Sequence, residues 1–363
     1  MSSQIYEGQI PDGWEVAKLG EISLIKTGSR NNQDKSSDGE FPFFVRSATV
    51  ERINTYSYDC EAILIPGEGG IGSIYHYINC KFDAHQRVYV IRGFNKNIDA
   101  KFVFFALKEF FGKYALQNTV KATVDSLRLP TFQNFEFLIP SDKAEQERIA
   151  QVLSDMDDLI SAKYELLDKK RAIKQAAAQQ LLTPKSHWHT ATLGEILQYE
   201  QPTNYIIQDI EILEKGSVPV LTAGKSFILG YTEEEFNCYK NFPVIIFDDF
   251  TTDSKFVNFR FKVKSSAMKM LKPKNDKISI KFAFMLLQNI NFFVGDHKRH
   301  WISEFSKFEI SYPKDKTEQE KIAQILSDMD DEISALQDEI EKLKMIKQGA
   351  MDELLSGKTR LKG

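Results

Sequence analysis

The feature that most constrains the fold of this chain is a block of sequence that occurs twice. Residues 145–162 and 318–335 share 15 of 18 positions at an offset of 173, and two of the three differences exchange Arg for Lys and Val for Ile. A weaker echo precedes each block and matches Trp14 and Leu19–Ile22 with Trp188 and Leu193–Ile196. This repeat predicts a duplicated architecture, in which a variable region and a constant block each occur twice.

Each constant block predicts a long helix with one apolar stripe. Apolar residues recur at steps of three and four, which is the spacing of a coiled-coil seam. The seam residues are Ile149, Leu153, Met156 and Ile160 in the first block and Ile322, Leu326, Met329, Ile333 and Leu336 in the second. Each block spans about 38 residues, or about 57 Å of helix. The two seams bury each other most simply if the helices pack antiparallel about a pseudo-two-fold axis.

The variable regions predict mixed domains of strands and short helices. Strand-like segments cover 62–65, 87–91, 243–247 and 256–263, and helix-like segments cover 101–111 and 281–288. We therefore predict an α+β fold, with two mixed α/β domains separated by two long antiparallel coiled-coil helices in a pseudo-two-fold internal repeat. The expected parts are a first domain over 1–140, a central helix over 141–184, a second domain over 185–313 and a C-terminal helix over 314–363.

Cysteine usage and the absence of targeting signals indicate a cytoplasmic protein. The three cysteines, Cys60, Cys80 and Cys238, form no C-x-x-C pair and no even disulfide framework. The first residues lack the basic and apolar regions of a signal peptide, and no apolar run reaches the ~18 residues of a membrane span. We expect no membrane partner.

Motif searches favour a chain without catalysis. Residues Gly67–Gly72 match G-x-G-x-x-G, but the following residues look like a returning strand, so a hairpin is favoured over a dinucleotide site. The pair Asp248-Asp249 follows a strand-like run and is interpreted as a polar turn. There is no P-loop, and the cysteines and histidines lack zinc-ligand spacing. We predict no catalytic residue, no metal and no cofactor in this chain.

Basic and amide side chains in both variable regions are the candidate DNA contacts. Lys and Arg neutralise phosphates, while Arg and Asn can each form paired hydrogen bonds to a base edge. The candidates are Arg30, Asn31, Arg46, Lys121, Thr123 and Arg128 in the first region and Lys255, Lys262, Lys298 and Arg299 in the second. A solvated strand face explains the alternating lysines of the second region equally well, and the net charge of −4 does not indicate a nucleic-acid partner.

The two Glu-Gln-Glu-(Arg/Lys)-Ile-Ala-Gln blocks resemble the repeated regions of the DNA specificity subunit of type I restriction-modification systems. The strand and proline before the first block, Ile139-Pro140, fit that family, as do the entry over Trp14–Ile22 and the glycine run at Gly67–Gly72. The resemblance covers essentially the whole chain. One departure is Phe247-Asp248-Asp249-Phe250, which replaces a glycine run in the second domain, so a different loop is expected there.

The resemblance implies sequence-specific recognition of double-stranded DNA without catalysis. Each variable domain would read one half of a bipartite target, and the helices would serve as a spacer and as a docking surface for two methyltransferase subunits. Two restriction/translocase subunits would complete the complex, with S-adenosylmethionine, ATP and Mg on the partner subunits. A two-armed coiled-coil adaptor that binds proteins without DNA specificity also fits the duplicated helices and stays open at this point.

Overall fold

The computed structural model describes residues 10–119, 126–208, 211–222, 227–290 and 299–361. The chain divides into two compact units, one made of Met1–Tyr164 with Asp338–Gly363 and the other of Glu165–Gln337. Each of the two long helices therefore contributes residues to both units. The predicted division at residues 140, 184 and 313 separates the two long helices from the two domains instead of cutting through them. That division stays a prediction. Among the described residues, no helix has the length and apolarity needed to cross a bilayer.

The first unit contains a six-stranded sheet and a two-stranded sheet. The strands are β1 Trp14–Lys18, β2 Leu24–Thr27, β3 Phe41–Phe44, β4 Glu51–Ile53, β5 Tyr58–Pro66, β6 His76–Ala84, β7 Val88–Arg92 and β8 Glu136–Pro140. The larger sheet has the order β2-β7-β5-β6-β3-β4, in which only β3 and β6 pair in parallel, and β1 pairs with β8. Mixed pairing of this kind agrees with the predicted α/β content.

Up to residue 164, this unit also contains four short helices and the start of a long helix. The helices are α1 Leu19–Ile22, α2 Ala100–Ala106, α3 Gly112–Gln117, α4 Leu129–Gln133 and the long α5 Lys143–Leu181. A π-helical turn, Leu107–Phe111, joins α2 to α3. The helix expected over 101–111 therefore continues to Gln117.

The second unit also combines β-strands and short helices with a part of each long helix. Its strands are β9 Trp188–Thr192, β10 Leu197–Glu200, β11 Val218–Leu221, β12 Ile228–Thr232, β13 Val244–Asp248, β14 Ser254–Val257, β15 Lys262–Val263, β16 Met268–Pro273 and β17 Glu309–Pro313. They form sheets of the orders β10-β16-β13-β14, β12-β11-β15 and β17-β9. The helices are α6 Leu193–Ile196, α7 Ile280–Gln288, α8 His300–Ser303 and the long α9 Lys316–Leu355. The single strand expected over 256–263 was wrong, because β14 ends at Val257 and β15 begins at Lys262 in another sheet.

Within each unit, α5 and α9 contact each other in opposite chain directions. In the first unit, Glu145 pairs with Arg360 just beyond α9, Asp157 with Lys347 and Lys163 with Glu339. In the second unit, Lys170 pairs with Glu332 and Lys174 pairs with Asp330. Lys185, which lies just beyond α5, pairs with Glu318. As the residue number rises along the first helix, that of its partner falls.

The start of each long helix is buried in the core of its own unit. Ile149 and Leu153 pack with Trp14, Phe102 and Phe137 in the first unit. Ile322 and Leu326 pack with Phe247, Phe282 and Trp301 in the second. Of the seam residues, Ile149, Leu153, Ile322, Leu326 and Leu336 are buried, and Met156, Ile160, Met329 and Ile333 are half-buried. The seam is thus buried at the start of each long helix and again at Leu336 near the middle of α9.

A buried glutamine ties the start of each long helix to its domain. Gln146 donates from Nε2 to the carbonyl oxygens of Pro140 (2.8 Å) and Asn97 (3.1 Å) and accepts from the amide of Asp99 (2.8 Å). Because Asp99 caps α2, these bonds connect a strand end, a helix start and a long helix.

Gln319 forms the matching bonds in the second unit. It donates to Pro313 (2.8 Å) and Lys277 (3.1 Å) and accepts from the amide of Ser279 (2.8 Å), the residue that caps α7. A buried amide that satisfies three backbone groups accounts for the glutamine at the second position of each repeated block.

Candidate nucleic-acid interface

Several loops of the first domain, which follow strands β2, β3, β5 and β6, converge beside the six-stranded sheet. This group of loops is called the loop edge, or simply the edge. The loop after β2 joins the loop after β6, since Arg30 donates its amide to Ala84 O (3.2 Å) and accepts from the amide of Gln86 (2.8 Å). The same region approaches the end of β3, because the amide of His85 donates to Phe44 O (2.9 Å). Gly28 makes the approach possible, since a Cβ atom there would collide with the carbonyl oxygen of Ala84.

The glycine run forms the turn between β5 and β6. Gly69, Gly70 and Gly72 have φ angles of 70°, 62° and 71°, which glycine adopts without steric cost. The next regular element is the strand β6, so the expected hairpin is confirmed. Gly67 closes the turn against two other segments: its amide donates to Arg87 O (2.8 Å) and its carbonyl accepts from Leu127 (2.8 Å).

Charged and amide side chains cover this edge. Glu68 lies between Arg46, whose Nη1 is 3.5 Å from Oε2, and Arg87, whose Nη1 is 3.4 Å from Oε1. Gln86 donates from Nε2 to Asn31 Oδ1 at 2.6 Å, and both side chains are exposed. Arg30 is anchored by the buried Asp83 carboxylate at 2.9 Å. The edge therefore presents arginine forks and amide groups, which are the side chains that read base edges.

A hollow of about 380 Å³ lies beside these groups. It is lined by Asn32, Val45, Arg46, Ser47, Glu51, Gly69 and His85. The pKa of His85 is lowered, first by burial and then by the charges of Arg46 and Arg87. His85 is thus neutral at pH 7, with Nδ1 accepting a hydrogen bond of 3.0 Å from the amide of Arg87.

The structure brings several of the predicted residues together at this edge. Arg30 and Asn31 follow β2, Arg46 follows β3, and Arg128 precedes α4 directly after the Leu127 that bonds to Gly67. Lys121 and Thr123 lie outside the described residues.

Sequence reasoning missed three members of this edge, Glu68, Gln86 and Arg87. For Gln86 and Arg87 the available signal was the polar pair His85-Gln86 directly before the strand-like segment 87–91, because a short polar break before a strand marks an exposed turn.

The second domain builds its corresponding turn from aspartates. Asp249 accepts from the amide of His300 at its carbonyl oxygen (2.9 Å) and from the amide of Trp301 at Oδ1 (2.8 Å). Its Oδ2 pairs with Lys269 at 3.0 Å, and both side chains are buried. Asp248 Oδ1 accepts from the amide of Phe250 (2.8 Å). These bonds replace the glycine turn of the first domain, so the expected difference between the two loops is confirmed.

Two predicted residues of the second domain flank this turn. Arg299 is exposed and immediately precedes the His300 that bonds to Asp249. Lys255 is exposed on β14, next to Ser254, which pairs with Phe247 at the other end of the turn. Lys298 lies outside the described residues.

Lys262 does not fit its predicted role as a DNA contact, because its side chain is 0% exposed. Its ammonium forms an ion pair with Glu234 and donates to the carbonyl oxygen of Phe236 at 3.2 Å. A buried and paired ammonium does not reach a DNA phosphate, so Lys262 belongs to the interior of the domain. The lysines of this region do not alternate along one solvated strand as the sequence suggested.

The described residues hold no group of three or more His, Cys, Asp or Glu side chains that could bind a metal ion. Cys238 is buried, and burial raises the pKa of its thiol, which lowers the thiolate fraction at neutral pH. What the arrangement offers chemically is hydrogen bonding and charge on loop surfaces.

The structure therefore defines a class of two-domain α/β chains in which two long helices contact each other and charged loops converge in the first domain. The family model of the type I restriction modification DNA specificity domain matches residues 11–169 and again 185–345. The chain therefore belongs to the family of type I restriction-modification DNA specificity domains, with two copies in one chain.

Two relatives from Escherichia coli are similar to parts of the chain. The specificity subunit of the type I restriction enzyme EcoR124I/EcoR124II is 50% identical over 126 residues, which cover 33% of this chain and 31% of that protein. The specificity subunit of the type I restriction enzyme EcoDI is 29% identical over 176 residues, which cover 48% of this chain and 38% of that protein. The matched stretches thus span less than half the length of either relative.

A solved structure supports the fold over nearly the whole chain. The crystal structure of a type I restriction-modification system S subunit from M. genitalium aligns with a TM-score of 0.76 at 18% identity. The alignment covers 96% of this chain and 98% of that one.

Proposed function

We propose that this chain is a sequence-specific DNA recognition subunit of a type I restriction-modification complex, and that it is not itself an enzyme. Each variable domain would read one half of a bipartite target in double-stranded DNA. The observation that carries the proposal is the surface of Arg46, Arg87, Asn31 and Gln86 in a chain whose two halves both match the specificity-domain model. Phosphate contacts would position each domain and base contacts would give specificity.

The helices α5 and α9 would form an antiparallel coiled coil that sets the distance between half-sites, in a pseudo-two-fold molecule. Support comes from equivalent contacts at an offset of 173: the Lys174–Asp330 pair of one unit corresponds to the Lys347–Asp157 pair of the other. A pseudo-symmetric chain offers each docking surface twice, which suits two methyltransferase subunits.

Apolar residues on the long helices suit that docking role. Ile173 and Ile346 are equivalent in the repeat and are 51% and 48% exposed. Two restriction/translocase subunits would join the complex, and S-adenosylmethionine, ATP and Mg would bind to the partner subunits. The complex would act in the cytoplasm, where the chromosome is accessible.

A comparison of host DNA with and without this gene tests the proposal. Single-molecule methylome sequencing should reveal one bipartite methylated motif that disappears on deletion of the gene. The purified chain with its cognate methyltransferase subunits should bind a duplex carrying that motif more tightly than a scrambled duplex, with strong salt dependence. An unchanged methylome, together with salt-independent binding, would favour the protein-binding adaptor instead.

The spacer role can be tested by lengthening both helices together. Because Lys163 pairs with Glu339 and Lys170 with Glu332, seven residues should be inserted both after Tyr164 and after Gln337 to keep the pairs matched. The insertion adds about 10 Å of helix, or about three base pairs of DNA. The methylated motif should keep both half-sites and change its gap. Altered half-sites with an unchanged gap would contradict the spacer role.

A further inference from the structure

Glu68 is an acidic residue in the middle of a surface that is proposed to meet DNA. Its carboxylate contacts Arg46 on one side and Arg87 on the other, at 3.5 and 3.4 Å. The Glu68 side chain is 20% exposed, whereas those of Arg46 and Arg87 are 52% and 54% exposed. The Glu68 carboxylate is therefore more buried than its two partners, and about half of each arginine side chain stays exposed.

The backbone holds Glu68 in this position. The preceding residue, Gly67, bonds to Arg87 through its amide and to Leu127 through its carbonyl, at 2.8 Å each. Glu68 itself forms a β-bridge with Ser126. These contacts hold the backbone at Glu68 against the backbone of Arg87 and against the Ser126–Leu127 segment.

A carboxylate at this place weakens nonspecific binding and favours base reading. It repels phosphates and offsets the charge of its two arginines, which reduces the counterion release that drives nonspecific binding. It also restricts the rotamers of two long side chains, so less entropy is lost when their forks bind a base. An arginine fork held in place is the side chain that pairs with O6 and N7 of guanine.

We propose that Glu68 is the positioning residue for base discrimination in the first half-site, and that the bases read through Arg46 and Arg87 are guanines. This inference rests on the proposed DNA-recognition function. Glu68 acts through the two arginines and gives the first domain its preference for a sequence over generic duplex DNA.

The test uses the full chain with its cognate methyltransferase subunits and two duplexes of equal length. One carries the methylated motif of the host, and in the other the first half-site is scrambled. The variant Glu68→Gln removes the charge while keeping the shape. The matched control is Glu51→Gln, because Glu51 lines the same hollow but pairs with Lys35 at 3.1 Å instead of with either arginine.

Glu68→Gln should tighten binding to the scrambled duplex and steepen its salt dependence by about one to two released ions. The ratio of cognate to scrambled affinity should fall by about tenfold or more, as expected for the loss of one ordered base contact. Glu51→Gln should shift both affinities equally and leave the ratio unchanged. If Glu68→Gln also leaves the ratio unchanged, the inference is wrong.

Two further measurements keep the result decisive. In a chain that already carries Arg46→Ala and Arg87→Ala, Glu68→Gln should have no further effect on the ratio of cognate to scrambled affinity. A further loss would mean that Glu68 reads a base directly, and it would overturn the positioning role. If Glu68→Gln fails to fold, replacing both arginines by lysine keeps the charge but removes the forks, and it should lower the ratio without changing the salt slope. A wild-type chain that does not discriminate the duplexes would instead contradict the proposed function itself.

Discussion

Lys347 in α9 forms an ion pair with Asp157 in α5, although 190 positions of sequence separate the two residues. Lys174 and Asp330 form the corresponding pair with the roles of the two helices exchanged. Both lysines come from an Ile-Lys-Gln triplet, which occurs at 173–175 and again at 346–348. The duplication of the sequence is thus also a duplication of tertiary contacts, and it extends beyond the nearly identical blocks.

Replacing Gln146 by Ala should destabilise the first unit by about 1–3 kcal/mol or more, because two carbonyls and one amide lose a buried partner. Urea unfolding measures the loss, and hydrogen exchange at the amide of Asp99 should accelerate. The control is Gln151→Ala in the same helix, since the Gln151 side chain is exposed and donates to Asp155 one turn along the helix. Equal stability of the two variants would contradict the role of Gln146.

Glu318 should make the stability of the second unit sensitive to acid. Hydrogen bonds from Lys185, then His187 and Trp188, lower its pKa from 4.5 to about 2. A lowered folded-state pKa gives stabilisation that is fully present above about pH 4.5 and is lost as the pH falls towards 2.

Acid unfolding of the Glu318→Gln variant checks this expectation. Between about pH 4.5 and pH 2, the wild-type chain should lose stability more steeply than the variant. Glu320→Gln, two positions along at an exposed site, is the control and should behave as wild type. Parallel curves for the wild type and Glu318→Gln would show that the contacts do not contribute.

Lys262 and Lys255 should respond to replacement by Ala in opposite ways. Lys262→Ala leaves the Glu234 carboxylate buried without its ammonium, so it should destabilise the second unit by about 3–5 kcal/mol. Lys255→Ala removes an exposed charge, so it should leave stability unchanged and reduce the salt dependence of DNA binding by about one ion. Thermal unfolding and salt titration measure the two effects. A stable Lys262→Ala variant with weakened DNA binding would instead place Lys262 among the DNA contacts.

Cys60 and Cys80 should form a disulfide under mild oxidation. They lie directly opposite each other on β5 and β6. Such pairs have Cα separations of about 4.5–5.5 Å, within the range of disulfides. Cys80 is exposed, and burial raises the pKa of the Cys60 thiol, so Cys80 should react first.

Thiol counting and peptide mapping after treatment with a hydroperoxide measure this reaction. Two of the three thiols should disappear, and the buried Cys238 should remain free. Cys80→Ser is the control and should yield no intramolecular crosslink. The absence of a Cys60–Cys80 crosslink would indicate a different register of β5 and β6, and a crosslink that includes Cys238 would contradict the burial of that thiol.

The features predicted correctly from sequence are those that depend on neighbours along the chain. The steps of three and four in the repeated blocks predicted long helices, which the structure has at Lys143–Leu181 and Lys316–Leu355. Apolar runs predicted the strands that became β5, β7 and β13. The turn at Gly67–Gly72 was predicted because the residues that follow it look like a returning strand, and the positive φ angles found there are ones that glycine adopts readily.

Partners across the fold could not be predicted in the same way. Glu68 meets Arg46 and Arg87 only because three loops converge, and Lys262 is buried only because Glu234 of a different segment neutralises it. Periodicity and turn chemistry are written in adjacent residues and can be read from the sequence. The environment of a charge depends on the residues that folding brings beside it, so its burial and its partner become visible only in the folded chain.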